Sequence, residues 1–114
     1  MAPLTDPERL RHYRHAIRLW HVSGYVNFER RALEWVRQVL GVAARDFSRL
    51  ICEHVDAGGE IDEVPETRPE YQEHEFHHDL RLTVGDRRIY VETRLLMERD
   101  IDDTTIQVVN VHDV

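Results

Sequence analysis

The chain has 114 residues, 41% hydrophobic and 32% charged, a makeup that fits one globular domain with a single core and excludes a disordered or low-complexity chain. Its formal net charge of −7 argues against loose, sequence-independent nucleic-acid binding, which depends on neutralising phosphates. No apolar run approaches the ~18 residues of a membrane span, no signal-peptide core opens the chain, and the lone Cys52 builds no disulfide framework; a reducing, cytoplasmic setting and no membrane partner are expected.

Thr5-Asp6-Pro7-Glu8 reads as a helix start, with Thr5 as the cap and Glu8 three residues on. Leu10, Tyr13, Ile17 and Trp20 follow at helical spacing, and the expected helix covers residues 6–22. Its other face carries Arg11, Arg14, His15 and Arg18, a basic stripe that is ordinarily just solvated and otherwise suits nucleic acid or an acidic partner. A second helix, 28–40, is expected to start at an Asn27 cap, to bury Ala32, Leu33, Val36, Val39 and Leu40, and to stop at Gly41. A third, 44–56, buries Phe47, Leu50, Ile51 and Val55.

The acidic, proline-bearing stretch 60–70 reads as a short edge strand at 60–64 followed by a loop. Alternation then dominates. Phe76, His78, Leu80, Leu82 and Val84 share one face of a strand over 74–84; Glu75, His77, Asp79, Arg81 and Thr83 share the other. Gly85-Asp86 suits a two-residue hairpin turn. On the return strand, 87–98, Ile89, Val91, Leu95 and Met97 match the apolar face, and Arg88, Tyr90, Glu92 and Arg94 the polar one. A last strand, 104–112, is apolar on both sides and belongs inside the sheet. The expectation is one α+β domain over 1–114, with three N-terminal helices on one face of a mostly antiparallel sheet of about four strands.

Two clusters invite chemistry. His74, His77 and His78 cannot chelate one ion from a regular strand, because His77 points away from the other two, so no metal is expected. The polar sheet face is the better candidate: Glu75, His77 and Arg81 beside Arg88, Tyr90, Glu92 and Arg94 make a contiguous surface of acid, base and guanidinium groups. Arg–Glu pairs knitting a solvated sheet face would produce the same pattern.

The order of these elements resembles the MqsR (motility quorum-sensing regulator) family, toxins of toxin–antitoxin pairs with a RelE-like ribonuclease fold. The likeness rests on Ala16-Ile17-Arg18-Leu19 leading to Gly24-Tyr25-Val26, on Arg31-Ala32-Leu33 with Leu40-Gly41-Val42, on the helix from Asp46 to Val55, on Leu82-Thr83-Val84-Gly85 with Ile89-Tyr90-Val91, and on Val108-Val109-Asn110-Val111-His112. By position, Tyr90 matches the family's catalytic Tyr, His112 stands where its final Lys does, and Glu75 falls near its Gln. The early Lys has no counterpart, the nearest positions being Asp62 and Glu63. The resemblance implies a metal-independent endoribonuclease with no cofactor, acting on RNA and held by a cognate antitoxin. His112 or Glu75 would be the base and Tyr90 or His77 the proton donor, with Arg81, Arg94 and Arg88 on the phosphate.

Charge distribution supports a different class. Residues 1–52 carry nine Arg against five acids, net +4, and residues 53–114 carry six Arg against seventeen, net −11. A non-catalytic module whose acidic half docks a basic partner, or mimics nucleic-acid charge, is the alternative expectation.

Overall fold

In the computed structural model, which describes residues 2–114, helical and alternating segments fold into an α+β domain with a six-stranded open sheet. Chain order is β1 (Ala2–Pro3), α1 (Pro7–Arg18), β2 (Val26–Phe28), α2 (Arg30–Trp35) running into a π-helical turn (Val36–Leu40), α3 (Ala44–Asp56), β3 (Asp62–Pro65), β4 (Phe76–Val84), β5 (Arg87–Leu96) and β6 (Thr105–Asp113). The sheet runs β1-β3-β4-β5-β6-β2, antiparallel except for the parallel β6–β2 pair.

The core forms where helical stripes meet one parity of the strands. Tyr13, Ala16 and Ile17 of α1, Ala32 of α2, and Phe47, Ile51 and Val55 of α3 share it with Leu80, Leu82, Ile89, Val91, Ile106, Val108 and Val111. Polar pins tie helix to sheet inside this apolar layer. Tyr13 donates to Thr93 Oγ1 at 2.8 Å while Thr93 donates to the His78 carbonyl at 2.7 Å, so no hydroxyl is left unpaired.

Several expectations need correction. There are six strands, not four, and two of them precede or interrupt the helices. The stretch expected to be an edge strand spans Asp62–Pro65 and is covered on its outer side by β1. Asp6, not Thr5, caps α1, accepting from the Arg9 amide at 2.9 Å, and α1 ends at Arg18 rather than 22. Asn27 caps nothing: it lies in β2, which pairs with β6, and its amide donates to the Gly24 carbonyl at 2.7 Å. The second helix therefore begins at Arg30, and its continuation widens into the π turn, which rotates Val39 out to 43% exposure. Gly41, at φ +69°, ends that turn in the left-handed conformation. Met97, expected on the apolar face, lies past the end of β5 and is exposed.

The hairpin keeps the anticipated register, with Arg81 opposite Tyr90 and Thr83 opposite Arg88 across the Gly85 turn. β6 is interior, between β5 and β2. It carries a bulge: Thr93 pairs with Val108 but Glu92 with Asn110, leaving Val109 as the extra residue. The alternation thus changes phase at Val109, which lets both Val108 and Val111 face the core and delivers His112 to the face of Tyr90.

Candidate functional site on the outer sheet face

The segment 66–74 divides the sheet face opposite the helices into a covered half and an open half. It leaves β3 at Pro65, makes one 3-10 turn at Pro69–Tyr71, and lies across β5 as a strap. What holds it there is charge. Glu66 accepts from Arg94 at 2.8 Å and from Arg68 at 2.8 Å, and Arg68 in turn binds Glu92. Tyr71 lies against both guanidiniums, 3.7 Å from Arg94 and 4.8 Å from Arg68. The Arg68 hydrogen bonds, then those of Arg94, hold the Glu66 carboxyl far below the usual carboxylate range.

Arg94 is therefore not a phosphate-binding group on an open surface, as the alternation alone implied. It is 1% exposed, and its Nε and Nη1 have no partner. Glu75 also misses the expected cluster. It precedes β4, six residues from Arg81, the cross-strand partner of Tyr90, which is about 20 Å along an extended strand. It lines a cleft with Arg9, His74 and His78 instead.

The open half, towards the hairpin turn, gathers the remaining candidates. Tyr90 and His112 are cross-strand partners, and their rings stack with centroids 4.7 Å apart and planes 27° from parallel. The Tyr90 hydroxyl donates to Asp79 Oδ2 at 2.7 Å; burial and that carboxylate push its ionisation well above the ordinary range. His77 approaches the other oxygen of Asp79 through Nδ1 at 2.7 Å. Asp79 is the residue that reading the sequence for a site passed over. The signal was present, since Asp79 shares a face with His77 and lies diagonal to Tyr90 across the hairpin.

His112 is exposed, and its Nδ1 lies 2.7 Å from the carbonyl of Asp113. A carbonyl only accepts, so Nδ1 carries a hydrogen, and in the neutral ring Nε2 is the acceptor. Beside the pair, Arg81 and Arg88 line a cleft of about 230 Å³ with His54, Glu60 and Asp62. Arg81 bonds Asp62 at 2.6 Å, whereas the exposed Arg88 side chain makes no hydrogen bond or ion pair among the described residues.

One trio meets the distance requirement for a metal: Glu66, His77 and Glu92 bring potential ligand atoms within 4.8 Å of one another. Arg68 and Arg94 already neutralise both of its carboxylates, so it is an ion-pair network by chemistry. A hollow of about 680 Å³ along α1 holds the basic stripe of that helix and is lined by neither Tyr90 nor His112. Arg11, His15 and Arg18 there face Glu8, Asp102 and Asp56.

No protein-family model, no curated protein and no solved structure matches this chain. Among the described residues, no helix is long and apolar enough to cross a membrane.

Proposed function

We propose that the chain is a metal-independent endoribonuclease of the kind the MqsR-family resemblance implies, centred on Tyr90 and His112 and held in the cell by an antitoxin partner. The observation that carries the reading is the stacked Tyr90–His112 pair on an open sheet face, with an exposed imidazole whose Nδ1 is turned to a backbone carbonyl. RNA brings its own nucleophile. His112 Nε2 takes the proton of a 2′-hydroxyl as its oxygen attacks the adjacent phosphorus. The bond from phosphorus to the 5′-oxygen breaks, leaving a 2′,3′-cyclic phosphate, and the 5′-oxygen departs with a proton from the imidazolium or from water. Arg88 and Arg81 lie beside the pair and supply guanidinium donors for the phosphate charge. Glu75 and Arg94 have no part in this version of the site.

The test is incubation of the purified chain with RNA in the presence of a chelator, with and without translating ribosomes. Cleavage to cyclic-phosphate ends is expected, and His112→Ala should slow it by at least ~10²-fold, the usual scale for a general base. RNA left intact under both conditions ends the reading. Growth arrest on expression without a neighbouring antitoxin gene is the cellular counterpart.

A further inference from the structure

We propose that Asp79 is the positioning residue of the Tyr90–His112 pair and, through Tyr90, the group that makes the site select ribose over deoxyribose. The second half of this inference rests on the reading of the pair as an RNA-cleaving centre.

Asp79 is 4% exposed, and both of its carboxylate oxygens are in use: Oδ1 against His77 Nδ1 and Oδ2 against the Tyr90 hydroxyl, each at 2.7 Å. A carboxylate accepts and does not donate, so both partners must donate to it. The single phenolic hydrogen is then spent inward. Burial and the same carboxylate keep that hydrogen on Tyr90 by raising its ionisation. What Tyr90 retains for a ligand is a lone pair. His112 is in the same position, because its Nδ1 hydrogen is given to the Asp113 carbonyl.

The stacked rings thus carry two acceptor atoms, the Tyr90 hydroxyl oxygen and, on the neutral imidazole, His112 Nε2. A site built this way is satisfied by a donor. The 2′-hydroxyl is the donor that ribose has and deoxyribose lacks, and an acceptor site discriminates strongly against an analogue without the hydroxyl. Asp79 acts through Tyr90, and His77 acts through Asp79, whose rotation it holds. In this arrangement His77 is a backing group and Tyr90 an acceptor, in place of the proton-donor role that the family resemblance implied for one of them.

Two readouts on the full-length chain test this. The first is the pH titration of the Tyr90 ring carbon bearing the hydroxyl, followed by carbon-13 NMR and assigned with Tyr90→Phe; Asp79→Asn should lower the pH at which it ionises. An unchanged titration overturns the positioning role whatever the enzyme does. The second is the affinity of a single-stranded RNA and the DNA of the same sequence, measured in a His112→Ala background so that the RNA stays whole. RNA should bind at least about fivefold tighter, the scale of one lost hydrogen bond, and adding Asp79→Asn should bring the ratio towards one with DNA affinity unchanged. A ratio that survives the substitution overturns the selectivity claim. Should Asp79→Asn fail to fold, Tyr90→Phe must abolish the RNA preference in the same background, and a retained preference again overturns it. A shifted titration in a protein that never cleaves RNA would refute the ribonuclease reading while leaving the Asp79–Tyr90 link in place.

Discussion

Buried charge is concentrated at Arg94, and its consequences are local. The guanidinium is shut under the strap with three nearby acceptors shared between Glu66, Glu92 and the Tyr71 ring, while two of its nitrogens go without a partner. Removing it leaves Glu66 and Glu92 with Arg68 alone. Arg94→Ala should therefore cost about 3–5 kcal/mol in a urea unfolding experiment, the usual result of breaking a buried pair by deleting one member. Arg94→Met, in a double change with Glu66→Gln, should cost clearly less, because it removes the orphaned charge together with the hole. A single-mutant cost under about 1 kcal/mol would show that the network is idle. The pH dependence has a defined sign. Glu66 is held ionised in the folded chain well below its unfolded value of about 4.3, so its stabilisation is complete above that pH and fades as acid protonates it. The stability gap between the wild type and Glu66→Gln should be constant from neutrality to about pH 5.5 and shrink steadily below pH 4; a gap that widens in acid contradicts the assignment.

The β4–β5 hairpin and the β6 bulge make the site at the level of elements. Gly85 sits at φ +63° in the hairpin turn, where a Cβ is disfavoured by the backbone alone, since nothing lies within 4 Å of the place it would occupy. Gly85→Ala should lower stability by about 1–2 kcal/mol without moving the register, checked by thermal melting and by the unchanged ring-current shifts of His112. Those shifts also report on the bulge. With Val109 as the extra residue, His112 falls beside Tyr90; one more residue inserted after Asn110 would turn His112 to the opposite face. That insertion should erase the ring-current signature and RNA cleavage together, with Tyr90 untouched. Much of this was legible beforehand. Strict alternation over β4 and β5, broken only by Gly85-Asp86, determined which residues pair and which share a face. That the last strand lies inside the sheet was also written in the sequence, as a run apolar on both sides, but its phase change at Val109 was not. Three further things were not legible. Strands of two and three residues, β1 and β2, are too short to show a period. The π turn leaves helical spacing intact in the sequence while shifting which side chains are buried. The strap reads as a polar loop because its hold on Arg94 is a match between charges 28 residues apart, which no local pattern records.

Across the whole molecule, ion pairs decide where the acidic charge sits without removing the formal net charge of −7. Glu63 binds Arg9, Asp62 binds Arg81, Glu66 and Glu92 share Arg68 and Arg94, and Asp113 binds Arg87. On α1, Arg11 pairs with Glu8 of its own helix, while His15 and Arg18 reach across to Asp102 and Asp56 of the acidic half. A ribonuclease built on so acidic a chain would have to hold RNA with few phosphate contacts and rely on the chemistry at Tyr90 and His112. That has a thermodynamic signature. With Arg88 beside the pair and Arg81 already shared with Asp62, about one to two phosphates are neutralised, and the affinity of the His112→Ala chain for single-stranded RNA should fall with salt at a logarithmic slope of about −0.7 to −1.4. Arg88→Ala should reduce that slope by about 0.7. A slope steeper than about −3 would require four or more phosphate contacts. It would move the RNA track off this sheet face and onto the arginines of α1.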